Sequence, residues 1–465
     1  MYGNDKHTAI VLALLKAYGI RKIVISPGFC NIHVSAGVSY DPFFEVYSVV
    51  DERSAAYFAT GLSVRSGEPV VLSCTGATAS RNYLPALTEA YYRGIPIIAL
   101  TAQRRHTDLG SFLDQTLDRT VLQNDVKLCS VSLPAVKDTR DEEQCILSVN
   151  KALLTANYRK GPVHIDIPIH SWSFIREQLP QLTRMDYYTA EDFLLHKDAL
   201  PELYEKLIGQ KIAVFIGSHN CFDKDTVCAL NRFAEQYDAA VFYDHTSNYH
   251  GKNAVLAAIA GEVACLKNKP DIVIDIGGVT GAYSAPDVLT GAKEFWRVSE
   301  DGGFHCRYGK TDIRHFMMSE YCFFKTMGER PVEYRPESGY YSQVYSELRK
   351  VIIPELPLSN VFVCRELSSR LPAGSVLSLG IMNSLRSMNY FPLEPSIDTV
   401  ANVGGFGIDG TVSTIIGQSM AEPERLFFSV LGDLAFFYDM NALGIRHIRS
   451  NLRLLVVNNG CGVEM

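Results

Sequence analysis

Apolar, β-branched runs recur along this chain, and each ends in or beside Gly, Pro, Asn, Gln or Asp. The first stretch holds RKIVISPG (21–28), FEVYSVVDE (44–52), PVVLSCTG (69–76), PIIALTAQ (96–103) and GPVHIDIP (161–168). Between most of them the apolar positions change to helical spacing, as in RSAAYFATGLSVRSG and SRNYLPALTEAYYRG. Runs without polar alternation, separated by amphipathic helices, predict a parallel sheet covered on both faces. Such sheets present their chemistry beyond the strand C-termini. Here those ends carry Pro27-Gly28, Asp51-Glu52, Thr75-Gly76 and Gln103-Arg104.

The pattern lapses into a polar, Pro-bearing stretch over 171–200 and then restarts. KIAVFIGSHN, AAVFYDHTSN, PDIVIDIGG and EFWRVSED form a second set. After an irregular stretch at 325–345, a third set follows: SVLSLGIMNS, IDTVANVGG, RLFFSVLGD and LRLLVVNNG. The chain therefore reads as an α/β protein of three doubly wound parallel-sheet domains, over 1–180, 190–330 and 350–465. A length of 465 residues fits about three cores better than one. Four strands close the third set and leave an edge strand without cover. That predicts a third domain incomplete at its C-terminus.

Composition changes the picture mainly by exclusion. Hydrophobic residues make up 47% and charged residues 20%, with a net charge of -7 and no acidic or basic blocks. Nothing there favours a nucleic-acid partner. No apolar run approaches the roughly 18 residues of a membrane span, and no signal peptide is legible. Eleven cysteines without a C-x-x-C read as reduced thiols, so the expected location is cytoplasmic.

GGFGIDG (404–410) contains G-x-G-x-x-G, as Gly405, Gly407 and Gly410, and Asp433 follows about 20 residues on, nearly the dinucleotide fingerprint. A stronger constellation lies just beyond it. VLGD closes one strand, LAFFYDMNALGIRHIR reads as a helix, and LRLLVVNN is the next strand. Parallel strands end on one edge, so Asp433 and Asn459 arrive at one place. A carboxylate and a carboxamide are hard oxygen donors suited to Mg²⁺ or Ca²⁺. Gly432 leaves room for a diphosphate near the following helix start. Singly, Asp433 reads as a helix cap and Asn458-Asn459-Gly460 as a turn; together they favour a metal–diphosphate site.

GD, then some 25–30 residues, then NN resembles the metal- and diphosphate-binding motif of the thiamine diphosphate (ThDP) enzymes of the acetolactate synthase and pyruvate decarboxylase type. SPG and DERSAAYFATGLSVRSGEPVVLSCTGATASRNYLPALTEAYYRGIPIIALTAQR resemble their pyrimidine-binding domain. GPVHIDIPI and VGGFGIDGTVSTIIG extend the resemblance toward the SEPHCHC synthases of menaquinone biosynthesis. It covers the first and third domains, and the middle one only by size and pattern. In this light GGFGIDG is a turn that carries a cofactor-supporting aliphatic residue, not a nucleotide fingerprint.

The resemblance implies ThDP and Mg²⁺ as cofactors. It implies decarboxylation of a 2-oxo acid with transfer of the acyl anion to an acceptor, or simple release of an aldehyde, or a ThDP-binding protein impaired in turnover. Glu52 matches the glutamate that hydrogen-bonds the aminopyrimidine ring. Ile408 matches the residue beneath the bent cofactor, with the Gly407 carbonyl facing its amino group. Metal ligands carry over to Asp433, Asn459 and the backbone oxygen of Cys461. Pro27, Gly28, Thr75, Ser384, Gly432, Leu434 and Ala435 complete the cofactor set, Ala435 standing where relatives often have Ser.

For substrate the resemblance points to Phe29, Cys30, Arg104, Gln115 and Ser384; His33 reads singly as an exposed loop histidine and is a further candidate for the same pocket. Three arginine positions of the menaquinone synthases read differently: Phe29-Cys30 replaces Ser-Arg, Val403 replaces one Arg and Met388 another. These departures predict a less cationic pocket and argue against the menaquinone intermediate as product. The cofactor site of such enzymes is shared between chains, which implies a homodimer or homotetramer.

Overall fold

The computed structural model describes the chain apart from residues 1, 119–121, 170–172, 175–177, 196–199, 220–221, 264–267, 282–287, 301–312, 330–338 and 461–465. Its strands form three parallel sheets of six, seven and four strands. One compact unit spans Met1–Met185 and holds the first sheet; the second begins at Asp186 and holds the other two.

The first sheet comprises β1 (Lys22–Ile25), β2 (Glu45–Ser48), β3 (Val70–Thr75), β4 (Ile97–Gln103), β5 (Cys129–Ser132) and β6 (Val163–Pro168). They lie in the order β2-β1-β3-β4-β6-β5. Side chains of a strand alternate between faces, and here both faces are dry. Ile23 and Val71 join a core with Leu14, Leu15 and Leu153 on one side. Val24, Val70 and Leu72 join Ala55, Ala59 and Ala90 on the other. Each such fully buried Val or Leu stabilises by about 1.5–3 kcal/mol. Helices α1 (Lys6–Ala17), α2 (Ile32–Tyr40) and α3 (Glu52–Ser66) cover the sheet together with Leu84–Arg93 and Thr139–Arg159. β5 (CSVS) escapes the hydrophobic pattern because it is a half-exposed edge strand.

The second sheet contains β7 (Tyr187–Thr189), β8 (Ile212–Ile216), β9 (Ala240–Tyr243), β10 (Ala254–Leu256), β11 (Ile272–Ile276), β12 (Glu294–Val298) and β13 (Ile313–Met317). Their order is β10-β9-β8-β11-β12-β13-β7. β7 falls within the stretch that reads as a linker. Its Tyr188 stacks on Phe316 of β13 at 4.9 Å, so an aromatic contact rather than a hydrophobic run secures that edge.

The third sheet is β14 (Val376–Leu379), β15 (Asp398–Val400), β16 (Phe427–Gly432) and β17 (Leu452–Val457), in the order β15-β14-β16-β17. The long helix expected after β16 is broken: Asp433–Tyr438 is α-helical, and a 3₁₀ turn follows over Met440–Gly444. Asp439 stands at the break. Its carboxylate accepts hydrogen bonds from Ser413 N (2.6 Å) and Oγ (2.7 Å), in the first turn of the helix Thr411–Ala421.

Within the second unit, buried polar residues join the middle and third sheets. Asn248 donates to the Thr399 carbonyl (3.0 Å) and accepts from Thr399 N (2.6 Å). His245 N donates to Asn389 Oδ1 (3.0 Å), and its Nε2 meets the Met388 and Phe391 carbonyls at 3.1 and 2.9 Å. Burial holds the His245 pKa down, which keeps the ring neutral with Nε2 as donor. No helix among the described residues is long and apolar enough to cross a membrane.

Candidate active site

From β14 the third sheet grows one way to β15 and the other way to β16, so its strand order reverses between β14 and β16. Ligands of open α/β sheets sit at that reversal, beyond the strand C-termini. A cavity of about 300 Å³ lies there, walled by segments that follow all four strands. It gathers Ser384, Gly407, Ile408, Gly432, Asp433, Leu434, Ala435 and Asn459, all of which the sequence singles out. Asn360, Ile381, Met382, Asn383, Phe406 and Val457 also line it and escape sequence reasoning.

Asp433 is 9% exposed. Its Oδ1 accepts from Leu434 N (2.7 Å) and its Oδ2 from Gly460 N (3.2 Å), which ties the ends of β16 and β17 together. A Cβ added to Gly432 would meet nothing within 4 Å, so open space fronts the backbone beside this carboxylate. Ile408 packs against the cluster of Val412, Ile416 and Leu431. Met382 and Phe406 hold left-handed φ angles of 64° and 52°. Non-glycine residues there cost about 1–3 kcal/mol each and concentrate at functional sites.

These residues fit a metal-bridged diphosphate. No three His, Cys, Asp or Glu side chains cluster as a metal cage among the described residues. Asp433 and Asn459 bring one carboxylate and one amide to the cavity, and a diphosphate and backbone carbonyls are the natural complement for a hard cation. Cys461, expected to supply such a carbonyl, lies outside the described residues.

The first sheet has its own reversal, between β1 and β3. Gly28 follows β1 and abuts Thr75 at the end of β3; a Cβ at Gly28 would approach Thr75 Cγ2 to 2.2 Å. The Pro27-Gly28 turn is held by Asn31, whose Oδ1 accepts from Gly28 N (2.8 Å) and whose amide donates to Ser26 O (3.1 Å). Asp51 caps α3 by accepting from Ser54 N at 2.7 Å. Glu52, the next residue, is half-buried at the first turn. Capping is thus the work of Asp51. Burial pushes the nearby Tyr83 phenol well above its ordinary pKa, with a smaller contribution from the Glu52 charge.

The expected substrate residues are distributed unevenly. Phe29 is 59% exposed, whereas Cys30 is buried with its Sγ 3.7 Å from Gln115 Oε1. Arg104 donates to the Asp114 carboxylate (2.7 Å) and carbonyl (3.0 Å), beside Gln115. His33 is enclosed on α2: its Nδ1 lies 3.0 Å from Asp5 Oδ2 and its ring meets Phe174 edge-on at 4.8 Å. Val403 and Met388, at two of the altered arginine positions, are buried in the apolar core of the third sheet.

Residues 6–130 match the model of the thiamine pyrophosphate enzyme N-terminal TPP-binding domain. A 2-succinyl-5-enolpyruvyl-6-hydroxy-3-cyclohexene-1-carboxylate synthase of Bacteroides thetaiotaomicron is 34% identical, over 99% of this chain and 84% of that protein. The synthase of the same name from Bacteroides fragilis is 32% identical with the same coverage. That from Desulfotalea psychrophila is 30% identical, over 96% of this chain and 84% of its own length. The sheet architecture, the Asp433 cavity and these relatives agree: the chain belongs to the thiamine diphosphate-dependent enzymes, in the family of the 2-succinyl-5-enolpyruvyl-6-hydroxy-3-cyclohexene-1-carboxylate synthases.

Proposed function

We propose that this enzyme decarboxylates a 2-oxo acid and transfers the acyl unit to an acceptor, with ThDP anchored through Mg²⁺. The cavity that joins Asp433, Asn459, Gly432 and Ile408 at the reversal of the third sheet carries this reading. ThDP, when bound, would supply a carbon nucleophile toward the 2-oxo group and a sink for the electron pair left behind when CO₂ departs. The chain's own groups bind and orient. Asp433 and Asn459 would hold the cation, Gly432 would admit the diphosphate, and Ile408 would support the cofactor. Glu52 hydrogen-bonds the aminopyrimidine and holds a proton at its ring nitrogen, general acid–base work suited to a carboxyl free of capping duty. Arg104 and Gln115 bind a carboxylate or hydroxyl of the substrate.

The relatives' product carries a succinyl group, the unit that 2-oxoglutarate leaves after loss of CO₂; that acid is therefore the first donor to assay. Val403 and Met388 are buried apolar residues where the resemblance puts cations, which favours an acceptor with fewer carboxylates. The same feature supports a second reading, release of the aldehyde without an acceptor. A homodimer or homotetramer is the working assembly. Support comes from α3, which exposes Tyr57, Phe58 and Val64 by 48, 44 and 51%.

The test is a panel of 2-oxo acids assayed for CO₂ release with ThDP and Mg²⁺, with and without an aldehyde or enone acceptor. A ligated product supports carboligation, and free aldehyde alone supports the second reading. Bound ThDP with no CO₂ from any acid overturns both.

A further inference from the structure

A second cavity, within the first unit, has the opposite electrostatic character. It encloses about 650 Å³ beside the β4, β6 and β5 end of the first sheet, away from Gly28 and Thr75. The start of α1, the turn after β4, the segment after β5 and Pro168 of β6 form its walls. The Asp433 cavity is lined by no Lys, Arg or His, whereas Lys6, Arg105, His106 and Lys137 line this one. In a chain of net charge -7 that is a local reversal of sign.

The carboxylates near these cations are each held by other groups: Asp141 accepts from the Lys137 amide (3.0 Å), and Asp166 is bound by Gln103 and Thr101. The one carboxylate in the wall itself, Asp5, is 5% exposed and committed to His33 Nδ1 at 3.0 Å. Turned that way, Asp5 makes no side-chain cap on α1, and the positive end of that twelve-residue helix adds to the field. Arg105 is paired with Asp108 at 3.2 Å. Lys6 and Lys137 have no ion-pair partner among the described residues.

The floor is built. His106 Nε2 sits 2.6 Å from Ser132 Oγ and 3.3 Å from Asp166 Oδ2. Asp166 is 3% exposed and is held by Gln103 Nε2 (2.7 Å) and Thr101 Oγ1 (3.0 Å). Thr101 in turn meets His164 Nε2 at 2.7 Å. Scattered surface lysines are ordinarily just solvated. Here basic side chains from three separate elements converge on one concavity of ligand size.

We propose that this cavity binds a small ligand with a dianionic group, a phosphate ester or a dicarboxylate, held chiefly by Lys6 and Lys137 above His106. Its lining shares no residue with the Asp433 cavity, and the proposal does not depend on the function proposed above. Its occupation also bears on the substrate loop: Arg105–Thr107, in its wall, adjoin Arg104, and the same loop runs on to Gln115. An anion that pins the base of this loop restricts the two residues assigned to substrate.

The experiment is isothermal titration of the protein carrying ThDP and Mg²⁺ with inorganic phosphate and, separately, with succinate, at ionic strength fixed with chloride. One saturable site per chain is expected, weakened at least tenfold in Lys6→Ala/Lys137→Ala and retained in Lys6→Arg/Lys137→Arg. Asp433→Ala, titrated without cofactor beside the cofactor-free parent, binds the anion as that parent does. The preferred probe distinguishes a phosphate ester from a dicarboxylate. Heat no greater than chloride gives, or equal affinity in the double alanine variant, overturns the proposal. Both lysines are exposed, and Lys137→Glu, which reverses one charge, gives a second reading if the double variant folds poorly.

Discussion

Asp51 and Glu52 stand side by side at the start of α3, and hydrogen bonding separates their roles. Asp51 binds the Ser54 amide, which holds its pKa below the usual carboxylate range, while Glu52 is the carboxyl proposed for chemistry. Glu52→Gln is therefore expected to keep the fold and the affinity for ThDP. It should lower turnover by about two orders of magnitude or more, the scale of a lost acid–base group; unchanged steady-state rates would remove Glu52 from the mechanism. Buried thiols give a second check at this scale. Burial pushes Cys145 and Cys364 up to about 12, so at pH 8 almost none of either is thiolate. Mass spectrometry after brief iodoacetamide treatment should find Cys228, which is exposed, alkylated and these two intact until the chain is denatured. Legibility differed by residue. Asp433 and Asn459 stand out because a strand–helix–strand spacing delivers them to one edge. His33 does not reveal its burial, since its partner Asp5 lies 28 residues away and only the fold brings them together.

Strands were legible where they carry an apolar run, whether fully buried, as β3 and β4 are, or partly exposed, as β2, β15 and β17 are. All four strands of the third sheet and the central strands of the first two follow their apolar runs, whereas β5, β7, β10 and β13 do not. IRHFM of β13 hides behind Arg314 and His315, whose polar atoms the fold must accommodate. Among helices, α1 and α2 are joined by Asp41, which accepts from the Tyr2 hydroxyl (2.7 Å), Lys16 Nζ (2.5 Å) and Phe43 N (3.0 Å). Burial alone raises the Asp41 pKa, but these donors outweigh it and the net direction is down. A depressed native pKa contributes stability that is present above the unfolded value, near 3.9, and is lost as pH falls through the native one. Asp41→Asn should thus be less stable than the parent at pH 7, with the gap closing below about pH 4. Urea midpoints between pH 7 and 3 measure it; a gap independent of pH would mean that the carboxylate charge is not what joins the helices.

At the scale of the whole molecule, the proposed chemistry and the proposed assembly meet on α3: Glu52 opens it, and Tyr57, Phe58 and Val64 are exposed along it. Light scattering should report at least a dimer, and Phe58→Arg with Val64→Asp should shift the mass toward the monomer while circular dichroism stays native. An unchanged mass would move the interface elsewhere. The three-sheet plan was legible from strand runs alone, yet the joining of the middle and third sheets was not. It depends on His245 and Asn248, which in sequence are merely polar residues after a strand. That joint has a consequence for recombination between relatives. Thr399 and Asn389 belong to the third sheet's segment, and their buried partners are supplied by the loop after β9. A chimera that exchanges the middle sheet for that of another family member without histidine and asparagine at these two places would strand the Thr399 amide and the Phe391 carbonyl, which now meet the Asn248 amide oxygen and the His245 ring. Each unmet buried group costs about 1–3 kcal/mol. Workable crossover points therefore lie ahead of Asp186, where both sheets travel together, rather than between them.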